Sequence, residues 1–479
     1  MLKGILSFYS PSYPKALVYM MQRCEYQAVP YLKWYWRTSN FRKIAVRGKL
    51  DKTMRARSLL LLLNIGILVE LIVGFYFVYL GTFDHIVGYT EIGVSILIAY
   101  PLIWAYVLVI PVALSRWLVV LPMQRQLISK SKAIFKNHPA VKIAVAGSYG
   151  KTTMKELLAV VLAEAKKVAA TPANKNVSVS HAEFAAKLSG DEQVLIIEYG
   201  EERPGDIKSF CEKTYPNVGV ITGLAPAHLN HYPTLEAAGT DIFYLTEYLK
   251  HKDSYVNGES SSLKPFITAG DFVYSESGVG EWKAQNIKVD FEGISFKLKK
   301  GKQELDLKSN LLGRHQIGPL SSVAVIALGL GLTKYQVEAG ISKTSAFEHR
   351  MEPRELAGAF VIDDTYNGNI EGIRAGLELL EELSARRKIY VTPGLVDQGV
   401  ETKSVHHEVG RLIAKANPDV VVLMRNSVTS LISAGLKEVG FKGELRIEDD
   451  PLSFYTNLEQ FVASGDLVLM QNDWPDNYY

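Results

Sequence analysis

The sequence predicts an α/β protein that carries a two-helix transmembrane hairpin at its N-terminus. Three observations predict it. Two long apolar stretches lie in the first third, short β-branched runs alternate with helical spacing after Pro139, and the first of those runs leads into a glycine loop and a helix. We place a membrane-anchoring region at 1–136, a phosphate-loop central domain at 137–347 and a second βα domain at 348–479. With 479 residues the chain has room for about two to four domains, so no small stapled scaffold is expected.

The anchor comes first. Leu59–Leu80 and Ile92–Leu114 are each long enough, at about 1.5 Å per residue, to cross a hydrocarbon core of roughly 30 Å. Lys52, Arg55 and Arg57 precede the first stretch, and Arg116, Arg125, Lys130, Lys132 and Lys136 follow the second. The connector Gly81–Glu91 has no Lys or Arg, so both ends are expected in the cytoplasm, with the protein a multi-pass resident of the cytoplasmic membrane. A cleaved signal peptide is not expected, because 58 Tyr-, Trp- and Arg-rich residues come before the first stretch. Within them, Tyr31–Arg37 interleaves aromatic and basic side chains as an interfacial helix on anionic membrane lipids would.

Charge follows the same division. Residues 1–58 hold twelve Lys/Arg against Glu25 and Asp51, although the whole chain carries only +3. The basic excess therefore belongs to the membrane region, and nucleic acid is not expected as a partner. Cys24 and Cys211 are too few for a disulfide framework or a thiolate zinc site, which suits a reducing compartment.

In the central domain the strands are expected at Val141–Ala146, Lys167–Thr171, Val194–Tyr199 and Asn217–Thr222. The first runs into Gly147, Ser148, Tyr149, Gly150, Lys151, Thr152 and Thr153, and Met154–Ala165 then has helical spacing. A strand, a glycine turn and a helix N-terminus in that order offer backbone N–H groups and a positive dipole end to phosphate. Lys151 can reach the terminal phosphates and Thr152 can ligate magnesium. Glu198 ends the third strand, where an open α/β sheet gathers ligands, and a carboxylate there can hold magnesium. His228 follows the next strand and makes a third candidate for metal or phosphate contact. Ile294–Leu307 alternates with period two about Gly301 and reads as a β-hairpin embellishment. Further on, Glu371–Leu383 is helical, and Lys388–Pro393, Asp419–Met424 and Asp466–Met470 are strands of a Rossmann-like C-terminal domain.

From about Val141 onward the sequence resembles the Mur ligases. The residues that carry the likeness are the loop Gly147–Thr153, Glu198-Tyr199-Gly200 with Arg203-Pro204-Gly205, Pro226-Ala227-His228, Gly313-Arg314-His315, Arg350-Met351-Glu352 and Ile362–Asn369. Within that family the chain is most similar to the branch that adds D-alanyl-D-alanine to a UDP-muramoyl peptide. The resemblance implies an enzyme that uses ATP and Mg2+ to phosphorylate a carboxylate, which an amine then attacks to form an amide in peptidoglycan precursor synthesis. It implies Lys151, Glu198 and His228 as catalytic, with Thr152, Glu198 and His228 on metal. Gly147–Thr153, His315, Arg350, Asp364 and Asn367 would contact nucleotide. The acyl partner would be a UDP-muramoyl peptide or a lipid-linked precursor, and the amine D-alanyl-D-alanine or another amine. The other readings are a related ligase acting on a lipid-linked precursor or polyglutamate, and a silent nucleotide-binding scaffold.

Two departures from the family pattern bear on the site. Ile242 stands where many relatives carry a carbamoylated lysine, and His315-Gln316-Ile317-Gly318-Pro319 replaces a stretch whose asparagines contact adenine.

Overall fold

The computed structural model describes residues 7–38, 41, 50–172, 175–225, 232–366, 368–396 and 398–472. They fall into two compact units, Met1–Gln126 and Leu127–Tyr479.

The first unit is helical. Thr53 caps the helix Met54–Thr82 by accepting from the Ala56 N–H at 3.2 Å. Its antiparallel neighbour begins at Tyr89 and runs to Val107, continues as Val109–Ser115, and takes a π turn at Arg116–Val120. Both helices exceed the stretches expected from sequence, because polar residues at each end also take helical backbone. The pair packs through small residues: a Cβ at Gly93 would lie 2.6 Å from the Gly74 carbonyl oxygen. Trp104 donates its indole N–H to Glu70 at 2.5 Å, so the one charge of the first apolar stretch has a partner. Two shorter helices, Tyr13–Arg23 and Ala28–Arg37, pack on this pair through Tyr13, Leu17, Met21, Tyr31 and Tyr35.

The second unit holds two sheets. The larger takes its strands from β1 (Val141–Ala146), β2 (Val168–Ala170), β3 (Val194–Glu198), β4 (Val218–Ile221), β5 (Ser254–Asn257), β6 (Phe272–Ser275), β7 (Gly278–Val279), β8 (Trp282–Asp290), β9 (Gly293–Lys300) and β10 (Gln303–Ser309). Their order is β10-β9-β8-β7-β6-β5-β4-β1-β3-β2. From β2 to β6 the pairing is parallel, and from β6 to β10 it is antiparallel. The hairpin β9–β10 is therefore more than an embellishment. It is the outer end of an antiparallel extension continuous with the parallel sheet, and Ile294, Phe296, Leu298, Leu305 and Leu307 bury its inner face in the main core.

The parallel strands are apolar on both faces because helices cover both. Leu157, Leu158, Val161 and Leu162 of the helix Lys151–Leu162 pack on one side, and Ile207, Phe210, Ile242 and Phe243 on the other. The smaller sheet has order β11-β12-β16-β13-β14-β15, with β11 (Glu352–Leu356), β12 (Ala359–Asp364), β13 (Arg387–Thr392), β14 (Val420–Met424), β15 (Glu444–Glu448) and β16 (Asp466–Gln471). It is parallel throughout except for the edge strand β11, which joins β12 antiparallel.

Candidate active site

The glycine loop is held in shape by the ends of the central strands. β1 lies between β3 and β4, so Val145 is in register with Glu198 on one side and with Val220 on the other. The Ser148 N–H donates to the Gly223 carbonyl at 2.7 Å, and the Thr222 hydroxyl donates to the carbonyls of Ala146 and Tyr149. Gly147 and Gly150 sit at φ +136° and +75°, a backbone that favours glycine. The Tyr149 ring lies so close over Gly223 that any Cβ there would clash, and burial raises the Tyr149 hydroxyl to about 12.

The helix Lys151–Leu162 starts at Gly150 with no side chain capping it. Its first-turn N–H groups and positive dipole end are thus offered to an anion at the loop. The Thr152 hydroxyl donates to Glu198 Oε2 at 3.1 Å. Glu198 itself is fixed from several directions. Its N–H donates to the Thr171 hydroxyl at 3.0 Å, its carbonyl accepts from His181 Nε2 at 2.8 Å, and Asn176 donates to Oε1 at 3.4 Å. Burial lowers His181 to about 4, so it stays neutral and keeps that donor role at neutral pH. Lys155, fully buried one helical turn after Lys151, reaches Glu198 Oε2 at 3.2 Å.

A hydroxyl and a carboxylate set side by side at the rim of an uncapped helix N-terminus are the hard oxygen donors that magnesium prefers. The donor set fits that ion with a nucleotide phosphate, with Thr152 and Glu198 as its holders. His228 and Asn367 lie outside the described residues.

Lys151 differs from the sequence expectation in its partners. It is turned onto the Gly147 carbonyl and pairs with Glu201 at 2.7 Å. Glu201, Lys155, Asn176 and His181 escape sequence reasoning, although one signal was available: Lys155 occupies an inward position of the helix, where the spacing of Leu158 and Leu162 calls for an apolar residue.

The remaining candidates form two further clusters. Asp364 ends β12, accepts from Gln471 Nε2 at 2.8 Å and the Met351 N–H at 3.2 Å, and is lifted to about 6 by burial. Arg350 stacks on the Tyr366 ring at 4.4 Å beside it. His315 lines a cleft of about 440 Å³ with Glu276, Arg314, Glu378 and Glu382, and burial lowers it to about 4. Arg314 spans that cleft, donating to Glu276 at 2.7 Å and to Glu382 at 2.8 Å. The position expected to match a carbamoylated lysine is closed to metal chemistry: Ile242 is 0% exposed in the core. Its neighbour Asp241 is committed, accepting from the Gly205 N–H at 2.9 Å and the Tyr232 hydroxyl at 2.8 Å.

Comparison with known proteins matches residues 145–327 to the Mur ligase middle domain and residues 349–471 to the Mur ligase glutamate ligase domain. The chain belongs to the Mur ligase family. Among Mur ligases, the UDP-N-acetylmuramoyl-tripeptide–D-alanyl-D-alanine ligase of Escherichia coli is 26% identical over 301 residues, which cover 59% of this chain and 64% of the relative. The enzyme of the same name from Mycobacterium tuberculosis is 27% identical over 342 residues, 68% of this chain and 66% of the relative. The chain thus spans about two thirds of the length of these relatives. Two solved Mur ligases share the fold. MurF of Thermotoga maritima in complex with ADP superposes with a TM-score of 0.64 at 21% identity, covering 73% of this chain and 80% of that one. MurF of Acinetobacter baumannii gives 0.64 at 20% identity, covering 73% and 77%.

Proposed function

We propose that this Mur ligase is an ATP-dependent amide-forming enzyme of peptidoglycan precursor synthesis that joins D-alanyl-D-alanine to a muramoyl peptide. The observation that carries the reading is the convergence of Lys151, Thr152 and Glu198 on one uncapped helix N-terminus, in a chain whose relatives bear that activity in their names. The substrate carboxylate attacks the γ-phosphorus of ATP and ADP leaves; the amine then attacks the acyl carbon, and phosphate leaves as the amide forms. First-turn N–H groups cradle the phosphates, and Lys151, released from Glu201, neutralises charge that develops on transfer. Magnesium, when bound between Thr152 and Glu198, would screen the phosphate oxygens as a Lewis acid. Arg350 and Asp364 are assigned to the nucleotide ribose, and His315 to the nucleotide site.

The reading extends to location. Met54–Thr82 and Tyr89–Asn137 are long and apolar enough to cross a membrane, and only 17% and 28% of their most apolar windows are buried. We assign the first unit to the cytoplasmic membrane, with residues 137–479 on the cytoplasmic side. These exposed apolar helices motivate a second reading, in which the acyl substrate is a lipid-linked precursor.

The test is product formation by the purified full chain. With ATP, the muramoyl tripeptide and D-alanyl-D-alanine we expect ADP, phosphate and a product heavier by the dipeptide less water. Turnover only with a lipid-linked acyl substrate would select the second reading. No amide product from either overturns both. Cysteine labelling in intact cells checks the topology: sites in 81–91 should react from outside, and sites beyond 137 should not.

A further inference from the structure

The phosphate loop holds two carboxylates and two lysines in alternating contact. Lys155 meets Glu198 at 3.2 Å and Lys151 meets Glu201 at 2.7 Å, with the lysines one helical turn apart and the carboxylates three residues apart at the exit of β3. Both members of the second pair are enclosed, at 11% and 5% side-chain exposure. The Lys151 ammonium has three N–H donors, and they point to the Gly147 carbonyl, the Ser148 carbonyl at 3.5 Å and Glu201. In this arrangement all three donors of the one cation in the loop sequence are engaged by the protein itself.

We propose that Glu201 is a gate on the phosphate loop: it holds Lys151 while no nucleotide is bound, and it makes nucleotide binding conditional on a divalent cation. The inference deepens the nucleotide-site reading given above and rests on it. A phosphate that recruits Lys151 competes with Glu201 for its ammonium. That exchange leaves an enclosed carboxylate without its counter-charge beside phosphates of the same sign, which opposes binding. A divalent cation that enters with the nucleotide supplies the missing positive charge, and the exchange becomes favourable. Glu198 does not share this role, because Lys155 stays with it and lies on the buried side of the helix. Glu201 is thus a positioning residue: it acts through Lys151, and its signature is the magnesium dependence of affinity, which a plain structural brace would leave unmoved.

The experiment is titration of the detergent-solubilised full chain with ADP, by calorimetry, in magnesium and in EDTA. Wild type is expected to bind at least roughly thirtyfold more weakly without magnesium. Glu201→Gln removes the charge, so its metal-free affinity should rise about tenfold and its magnesium ratio should shrink to a few-fold. Glu201→Asp keeps the charge and should keep the wild-type ratio. The proposal is overturned if Glu201→Gln retains the full ratio, or if Glu201→Asp loses it. Should the glutamine variant fail to fold, wild type and the aspartate variant still decide, since equal wild-type affinity in the two buffers is itself a refutation. Absence of ADP binding by wild type in both buffers would overturn the nucleotide reading as well, whereas normal magnesium-dependent binding with an unaltered glutamine variant would overturn the gate alone.

Discussion

The two units use the same apolar residues in opposite ways. In the helix Met54–Thr82, Leu61, Ile65, Leu68, Val69 and Ile72 face outward, and few residues besides Leu59 and Leu63 are enclosed. In the phosphate-loop sheet, Ile143, Val145, Ile196 and Val220 are fully or almost fully buried. The difference lies in how each kind of element satisfies its backbone. A helix pairs its own backbone groups internally and can present apolar side chains all round, while a sheet in water must hide its apolar faces under helices. The candidate site lies in the second unit, where strand ends and loops converge polar groups on one rim, while the first unit presents exposed apolar helix faces.

The largest effect that would sharpen this contrast is at the loop. Lys151→Ala should cut turnover at least a hundredfold. It should also lower the melting temperature of the nucleotide-free protein, because Glu201 is left enclosed and unpaired. Adding Glu201→Gln should restore melting but not turnover. A single variant with wild-type turnover would break the assignment of the rim as the site.

The next test sets one deletion against another. Leu157→Ala empties a fully buried site and should cost about 2–5 kcal/mol in denaturant unfolding. Leu68→Ala, at a side chain 58% exposed, should cost less than about 0.5 kcal/mol in detergent. Comparable losses at both positions would mean that the first unit hides a core of its own on that face.

A smaller effect separates the units by pH. His181 and His315 are both lowered to about 4 by burial, against an ordinary value of 6.5. Between those values the unfolded chain binds more protons than the folded one, so stability falls as pH drops from about 6.5 toward 4. Asp364, raised to about 6, acts in the opposite sense: its folded form binds the extra proton between about 3.8 and 6, which offsets part of the loss. The net slope should be on the order of 1 kcal/mol per pH unit, steepest near about pH 5.5 to 6. Melting of the second unit across pH 5–7, with His181→Asn reducing the slope, checks the sign.

A modest effect on stability, with none on metal use, is expected at Asp241. Asp241→Asn keeps one acceptor for Gly205 or Tyr232 and should destabilise by about 1–2 kcal/mol. Its magnesium requirement should match wild type, and a large rise would show that Asp241 ligates metal after all.

Much of the second unit was legible along the chain. β1 runs over Val141–Ala146 as the run of β-branched residues indicates, and β3, β4, β13, β14 and β16 fall within a residue or two of their expected places. Periodicity reports these elements because each buries a regular face. The antiparallel extension from β6 to β8 was not legible, since Phe272–Ser275 and Gly278–Val279 are too short to show a period and a register shift between Gln285 and Lys288 breaks the alternation of β8.

By itself the sequence determined the apolar helices, the alternation of strand and helix, and the glycine loop with Thr152 and Glu198, because each is written in local spacing. Tertiary structure decided what surrounds them. It brought Thr171, Asn176 and His181 onto Glu198 from a neighbouring strand end, loop and helix, closed Ile242 into the core, and turned Lys151 to Glu201. Such contacts join residues that spacing along one element cannot relate. Their partners are fixed by how parallel strands stack side by side, and the low exposure that makes each charge seek a partner exists only once the helices have covered the sheet.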